Sequence, residues 1–277
     1  MKKNIIYKLL IIILIILFSI SIYKIIKWNI DNNKTNKIIN NIKTEVIESE
    51  DNDNTEIIKQ EEDNDNTEII KQEEDIDKND PYFDYIKMNM IDVNFDNLKK
   101  INNDIKGWIK VNGTNVNYPF VQTNDNDFYL NHTLDKTSNG GGWLFLDYRN
   151  NILNDKNTII YGHGRANKTM FGSLKNILDN NWLNNRDNFV IKIITENELT
   201  LWQIFSVYKI PTTSDYLQIK FNSDIEYETF INKLIDRSEY NFNTSINTYD
   251  NILTLSTCYN NNDKLVVHAK LIKREIK

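Results

Sequence analysis

The sequence predicts a mainly β domain with helical insertions, either a barrel or a sandwich, carried behind a long polar N-terminal segment. Three observations point there. Short runs rich in β-branched residues recur along the last two thirds of the chain, separated by Asn, Asp and Gly clusters. Only a few stretches carry the three-to-four-residue apolar spacing of a helix. Charge is also unevenly spread: the whole chain has a formal charge of −6, residues 1–80 hold 11 Lys and Arg against 17 Asp and Glu, and residues 81–277 hold 22 of each.

Residues 1–28 open with Lys2 and Lys3 and continue as an apolar run long enough to span a bilayer, with no small-residue cleavage site after it. They read as an uncleaved signal anchor, which leaves the protein single-pass in the cell membrane with its large domain outside. Residues 29–80 are polar and acidic and contain a perfect duplication, DNDNTEIIKQEE at 51–62 and again at 63–74. Two copies of net charge −4 are too short and too polar to stack around a shared core, so this stretch reads as a disordered, self-repelling spacer. The folded domain is expected over 81–277, and its neutrality, with no basic stripe, argues against a nucleic acid partner.

Within that domain, residues 82–90 and 95–105 read as short helices. Residues 108–111 and 116–120, joined by Asn112-Gly113, read as a hairpin. Further strands are expected at 140–147, 157–161, 189–195 and 199–208, with helices at 170–179 and 224–238. The second of these helices is capped by Ser223 and carries an apolar face of Tyr227, Phe230, Ile231, Leu234 and Ile235. Two last strands, 252–256 and 264–272, flank a polar loop that follows Cys258.

Cys258 is the single cysteine, so no disulfide can form within the chain. A thiol at a strand end is either an inert packing group or a nucleophile. A nucleophile needs a base or cation nearby and a donor for the oxyanion that forms on attack. Of three histidines, His163 is the best partner: it follows the strand NTIIY and stands between two glycines, where a packing role is unsuited. His268 lies in the middle of the last strand and reads as structural or half-exposed, and His132 reads as a loop residue. No metal-ligand cluster and no phosphate-binding glycine loop is present in the sequence, and no cofactor is expected.

TLSTC followed by a strand, with NTIIYGH and MFGSL about 95 residues before it, resembles the sortase family. The stretch from INNDIKGW to FYLNH, the block GGWLFLDYRN and the helix before the last strands resemble its class B. The resemblance implies an eight-stranded β-barrel with N-terminal helices, and a membrane-anchored extracellular cysteine transpeptidase of Gram-positive bacteria. Cys258 is then the nucleophile and His163 the general acid/base. The substrate is the sorting-signal peptide of a secreted surface protein, of the NPxT-x kind, and the acceptor is a peptidoglycan amine. The family's third catalytic residue is an arginine opening the last strand, and here that position is Lys264. Arg165 and Arg149 are the guanidinium alternatives, and Ser256 and Thr257 are the further candidates for contact with substrate. Two rival readings of the same residues are an extracellular cysteine protease that only hydrolyses, and a surface binding module with an inert cysteine.

Overall fold

A computed structural model of the protein describes residues 2–48 and 82–277. The duplicated repeat at 51–74 lies outside the described residues. The chain begins with one continuous helix, α1 (Lys2–Ile42), followed by a short strand, β1 (Val46–Glu48). The domain proper then runs α2 (Phe83–Ile86), β2 (Ile91–Val93), α3 (Phe95–Ile101), β3 (Ile105–Val111), β4 (Asn117–Val121), β5 (Phe145–Leu146) and β6 (Asn157–Tyr161). It continues with α4 (Asn180–Leu183), β7 (Val190–Ile194), β8 (Glu198–Pro211), α5 (Asp224–Asp236), β9 (Ile252–Cys258) and β10 (Asp263–Ile276).

Eight of these strands close into a barrel in the order β10-β8-β7-β3-β4-β5-β6-β9, and β9 pairs back onto β10. Most neighbours are antiparallel, but β4 with β5 and β6 with β9 run parallel. The barrel interior is filled by large apolar side chains, among them Trp108, Phe120, Trp143, Trp202, Leu253 and Val267. A second core lies outside the wall, where Tyr227, Phe230, Ile231 and Leu234 of α5 pack on Phe205, Tyr208 and Val266. With apolar material on both sides, β9 is buried from Ile252 to Thr257, which is why it reads as a near-continuous β-rich run. The Ser223 hydroxyl accepts from the Glu226 amide, the N-cap that the sequence signals for α5. The β3–β4 hairpin forms at Asn112-Gly113, with Gly113 at φ +67°, a left-handed angle that favours glycine.

Several expectations shift. The strand expected at 140–147 is confined to Phe145–Leu146. Before it the chain turns, with the Asn139 side chain accepting from the Gly141 amide and Gly142 at φ +57°. The helix expected over 95–105 stops at Ile101. Asn102 is extended and buried, and its amide donates to the Tyr129 hydroxyl and the Leu134 carbonyl. The helix at 170–179 is a 3-10 helix over Phe171–Leu178, and the helix at 82–90 shrinks to Phe83–Ile86.

The largest difference concerns the segment assigned to the spacer. Residues 29–42 continue α1 without a break, and β1 pairs antiparallel with β2. Asn32, Thr35, Ile39 and Ile42 are buried, and Ile38 and Val46 pack against the barrel core. Low mean hydropathy hid this face, because its few apolar positions are separated by Asn and Lys that remain on the solvent side.

Candidate active site

Strand register builds the site. Strand β6 pairs in parallel with β9, with Thr158 opposite Leu253 and Tyr161 opposite Ser256. Two residues further along each strand, His163 arrives level with Cys258. The link is tight: the Gly162 amide donates to the Ser256 carbonyl, and a Cβ added to Gly164 would lie 2.1 Å from the Cys258 carbonyl oxygen. Glycine is the residue that permits this approach. On the other side of β9, antiparallel pairing sets Lys264 directly opposite Cys258. Its Nζ stands 3.2 Å from Cys258 Sγ, in position to donate a hydrogen bond to sulfur. The intervening loop is held by the Asn260 side chain, which accepts from the amides of Asn262 and Asp263. Cys258 itself is exposed.

His163 is oriented from a third direction. Its Nε2 lies 2.7 Å from the Leu130 carbonyl oxygen. A carbonyl can only accept, so Nε2 carries the proton and Nδ1 is the nitrogen left for exchange. Among the described residues no hydrogen bond joins His163 to Cys258.

A cavity of about 600 Å³ opens along one side of Cys258, lined by Leu130, Phe145, Tyr161, Tyr216, Leu217, Ser256, Thr257 and Lys264 among others. The Ser256 hydroxyl is bonded to the Tyr216 hydroxyl at 2.9 Å, which fixes the tyrosine against the strand. Thr257 Oγ1 is buried with no hydrogen-bond partner among the described residues. Beneath Tyr161 lies Asp147, fully buried. It accepts from Arg149 Nε and Nη2, from the Tyr161 hydroxyl at 2.8 Å and from the Asn126 amide. Burial works against the Asp147 charge, yet the Arg149 and Tyr161 hydrogen bonds prevail and hold its carboxyl below the usual carboxylate range. The same burial pushes the Tyr161 phenol up, so it remains a donor to the carboxylate.

The five residues Cys258, His163, Lys264, Ser256 and Thr257 are thus brought together. Of the two arginine alternatives to Lys264, Arg149 lines no groove at Cys258, and Arg165 borders Cys258 and His163 only on the side away from Lys264. The Arg149 guanidinium is spent bidentately on Asp147 and also reaches the Leu217 carbonyl. The Arg165 guanidinium turns the other way, lies over Gly141, and donates to Thr35 Oγ1 at 3.0 Å and to Asn32 Oδ1 of α1. Each is claimed by a partner, Arg149 by one two residues away and Arg165 by two that sequence spacing could not reveal, and neither lines the larger cavity.

His268 is buried completely, which excludes the half-exposed alternative and leaves a structural role. The Thr254 hydroxyl gives its proton to Asn157 Oδ1 and therefore accepts from His268 Nδ1, while His268 Nε2 accepts from the Tyr208 hydroxyl. Burial, aided by Arg237 and Lys233, pulls the His268 pKa down to about 3, so the ring is neutral. His132 stacks on Phe128 at 4.0 Å between ring centres, in the loop where the sequence puts it.

Sequence reasoning missed Tyr216, Asp147 and the Leu130 carbonyl. Tyr216 lies in the polar stretch TTSDYL, and a backbone carbonyl leaves no trace in residue type. Asp147, in LDYRN, offered a signal: an acid two residues from an arginine after an apolar run.

The sortase domain family model matches residues 109–272. Sortase B of Listeria monocytogenes is 35% identical over 184 residues, covering 64% of this chain and 73% of that protein. Sortase B of Staphylococcus aureus is 36% identical over 184 residues, covering 65% and 75%. The crystal structure of Clostridium perfringens sortase B superposes with a TM-score of 0.62 at 36% identity, covering 65% of this chain and 100% of that one.

Proposed function

This chain belongs to the sortase family, and within it to class B, and from that premise we propose how its residues act and on what. It is an enzyme, a cell-wall sorting transpeptidase of the sortase B type. In our reading the donor is a sorting signal of the NPxT-x kind, and its acyl portion lies in the 600 Å³ cavity beside Cys258. The Cys258 sulfur attacks the Thr carbonyl, a C–S bond forms, and the Thr–x amide C–N bond breaks. His163 Nδ1 takes the thiol proton as the sulfur attacks and passes it to the departing amine, leaving a thioacyl-enzyme. An incoming peptidoglycan amine then forms a new C–N bond, His163 takes its proton, and sulfur leaves as thiolate.

Lys264 is the cation of this scheme. A neighbouring positive charge favours the thiolate as nucleophile, and the same ammonium can donate to the oxyanion as charge moves from sulfur to oxygen. Lysine supplies this as a point charge, without the two parallel donors of a guanidinium. Helix α1 is long and apolar enough over its first half to cross a membrane, and we assign it the anchoring role, with the barrel outside the cell.

The observation that carries the reading is the register that sets His163 and Lys264 on either side of Cys258. Mass spectrometry of the chain incubated with an NPxT-x peptide tests it. The expected result is an acyl adduct on Cys258, absent in Cys258→Ala and discharged faster by a peptide amine. No adduct on the wild-type chain would overturn the reading. An adduct discharged at one rate with or without amine would make the enzyme a hydrolase.

A further inference from the structure

Two grooves meet at Cys258, and Cys258 and His163 are the only residues they share. The second has a volume of about 390 Å³, and one of its walls is helix α1, which contributes Lys24, Lys27, Trp28 and Asp31. The opposite wall is formed by Gly140 and Gly141 with Arg165 from the loop that carries His163. Helix α1 is pinned there by several bonds. Asp31 Oδ2 accepts from the Gly140 amide at 3.2 Å, and the Asp31 carbonyl accepts from the Asn139 side chain at 2.9 Å. The next residue, Asn32, and Thr35 one turn along take both ends of the Arg165 guanidinium.

Acyl transfer through a thioester exchanges one amine for another on the same carbonyl carbon. The departing amine and the arriving amine therefore occupy the same side of that carbon, and both must reach His163. The larger cavity is taken by the acyl portion of the donor. The second groove alone remains in contact with both sulfur and imidazole.

We propose that this second groove binds the amine partner of the reaction, and that helix α1 is part of the active site, acting through Trp28 and Asp31. The inference rests on the transpeptidase reading above. The ligand class is a short peptide with a free primary amine and at least one carboxylate. Asp31 draws the ammonium to the mouth, the half-exposed Trp28 indole offers a face to it, and Lys24 and Lys27 receive the carboxylate. At the thioester the neutral amine nitrogen forms the C–N bond, its proton passes to His163, and the C–S bond breaks with the electron pair on sulfur.

The test uses the full chain in lipid nanodiscs, one NPxT-x donor and two acceptors. One acceptor is triglycine, which needs a binding site. The other is hydroxylamine, which is small enough to capture the thioester without one. The measured quantity is the ratio of kcat/KM for triglycine to kcat/KM for hydroxylamine, in the wild type, in the isosteric Asp31→Asn and in Trp28→Ala/Asp31→Asn. We expect the ratio to fall about fivefold or more in the double variant, chiefly through KM, and in the same direction in Asp31→Asn. A smaller fall in the double variant, with the Cys258 thioester still forming, overturns the acceptor groove and leaves the transpeptidase reading standing. No thioester on the wild-type chain overturns that reading, and this one with it.

Discussion

Lys264 and Cys258 face one another across the β9–β10 ladder, and the lysine ammonium stands 3.2 Å from the sulfur. The pairing is fixed by strand register, so the cation depends on no loop for its placement. Removing an oxyanion donor typically costs ~10²–10³ in rate. Lys264→Ala is expected to lose kcat/KM on that scale while Cys258 remains open to alkylation, and Lys264→Arg is expected to keep activity. Steady-state cleavage of an NPxT-x peptide decides it. Near-normal turnover in Lys264→Ala would move the role to backbone N–H groups, because Arg149 and Arg165 are engaged elsewhere.

The loop carrying His163 is pressed against the backbone of Cys258. In Gly164→Ala the new methyl would meet the Cys258 carbonyl at 2.1 Å, so the loop must withdraw and take the imidazole with it. We expect kcat to fall about tenfold or more, since misplacing a catalytic group by about 1 Å can cost ~10² in rate. The melting temperature should change little by comparison. Full activity in Gly164→Ala would show that His163 need not hold this position.

Acid stability is expected to report on His268. Its folded pKa, about 3, lies below the unfolded value, so the unfolded chain binds the proton first as pH falls. The stabilisation is complete above about pH 6.5 and is lost progressively toward pH 3, at up to ~1.4 kcal/mol per pH unit. Urea melts at pH 7 and pH 4.5 should show this slope in the wild type and a shallower one in His268→Gln. The substitution should cost stability at pH 7 yet leave most turnover, whereas His163→Ala should lose nearly all turnover in a folded chain.

Asp147→Asn is expected to loosen the floor of the larger cavity. It removes the charge on which Arg149 and Tyr161 converge, and a buried group left partly unpaired costs about 1–3 kcal/mol. Because the Asp147 carboxyl is held below its ordinary range, its contribution is present above about pH 4 and is lost as pH falls through the folded value. Thermal melts should show the variant nearest to wild type at the lowest pH. An equal deficit at every pH would mean that charge is not what Asp147 contributes.

The residue pattern indicated a mainly β domain and drew attention to Cys258 and His163, while the choice of a barrel came from the resemblance to sortases. Strands buried on both faces, such as β9, appear as uninterrupted β-rich runs, and a histidine between glycines stands out against packing. Register did not show: nothing in NTIIYGH or TLSTC says that β6 and β9 lie side by side in parallel, which is what levels His163 with Cys258. Arg149 is held by the nearby Asp147, but the partners of Arg165 are a long-range fact. Arg165 finds Thr35 and Asn32 130 and 133 positions away along the chain. The docked part of α1 was invisible for a related reason, since four buried positions among Asn and Lys resemble solvated chain until the surface they meet is known.

That docked part should matter to stability. Ile39 and Ile42 are buried against the barrel, and each such side chain contributes roughly 1.5–3 kcal/mol. A chain starting at residue 81 is expected to melt well below one starting at residue 29. Equal melting temperatures would show that the barrel tolerates losing this cover.

The unbroken run of α1 from its apolar half into the barrel also sets how the enzyme meets its substrates. From Ile26, the last apolar residue before Trp28, to Asp31 in the second groove is five residues, about 7.5 Å of helix. With the apolar half in a bilayer, the thiol works within a thin layer over the lipid headgroups, on a stiff mount instead of a swinging arm. Any substrate held in the same bilayer then meets the enzyme in the plane of the membrane. Encounter becomes a search in two dimensions, governed by lateral diffusion and surface density more than by concentration in the medium.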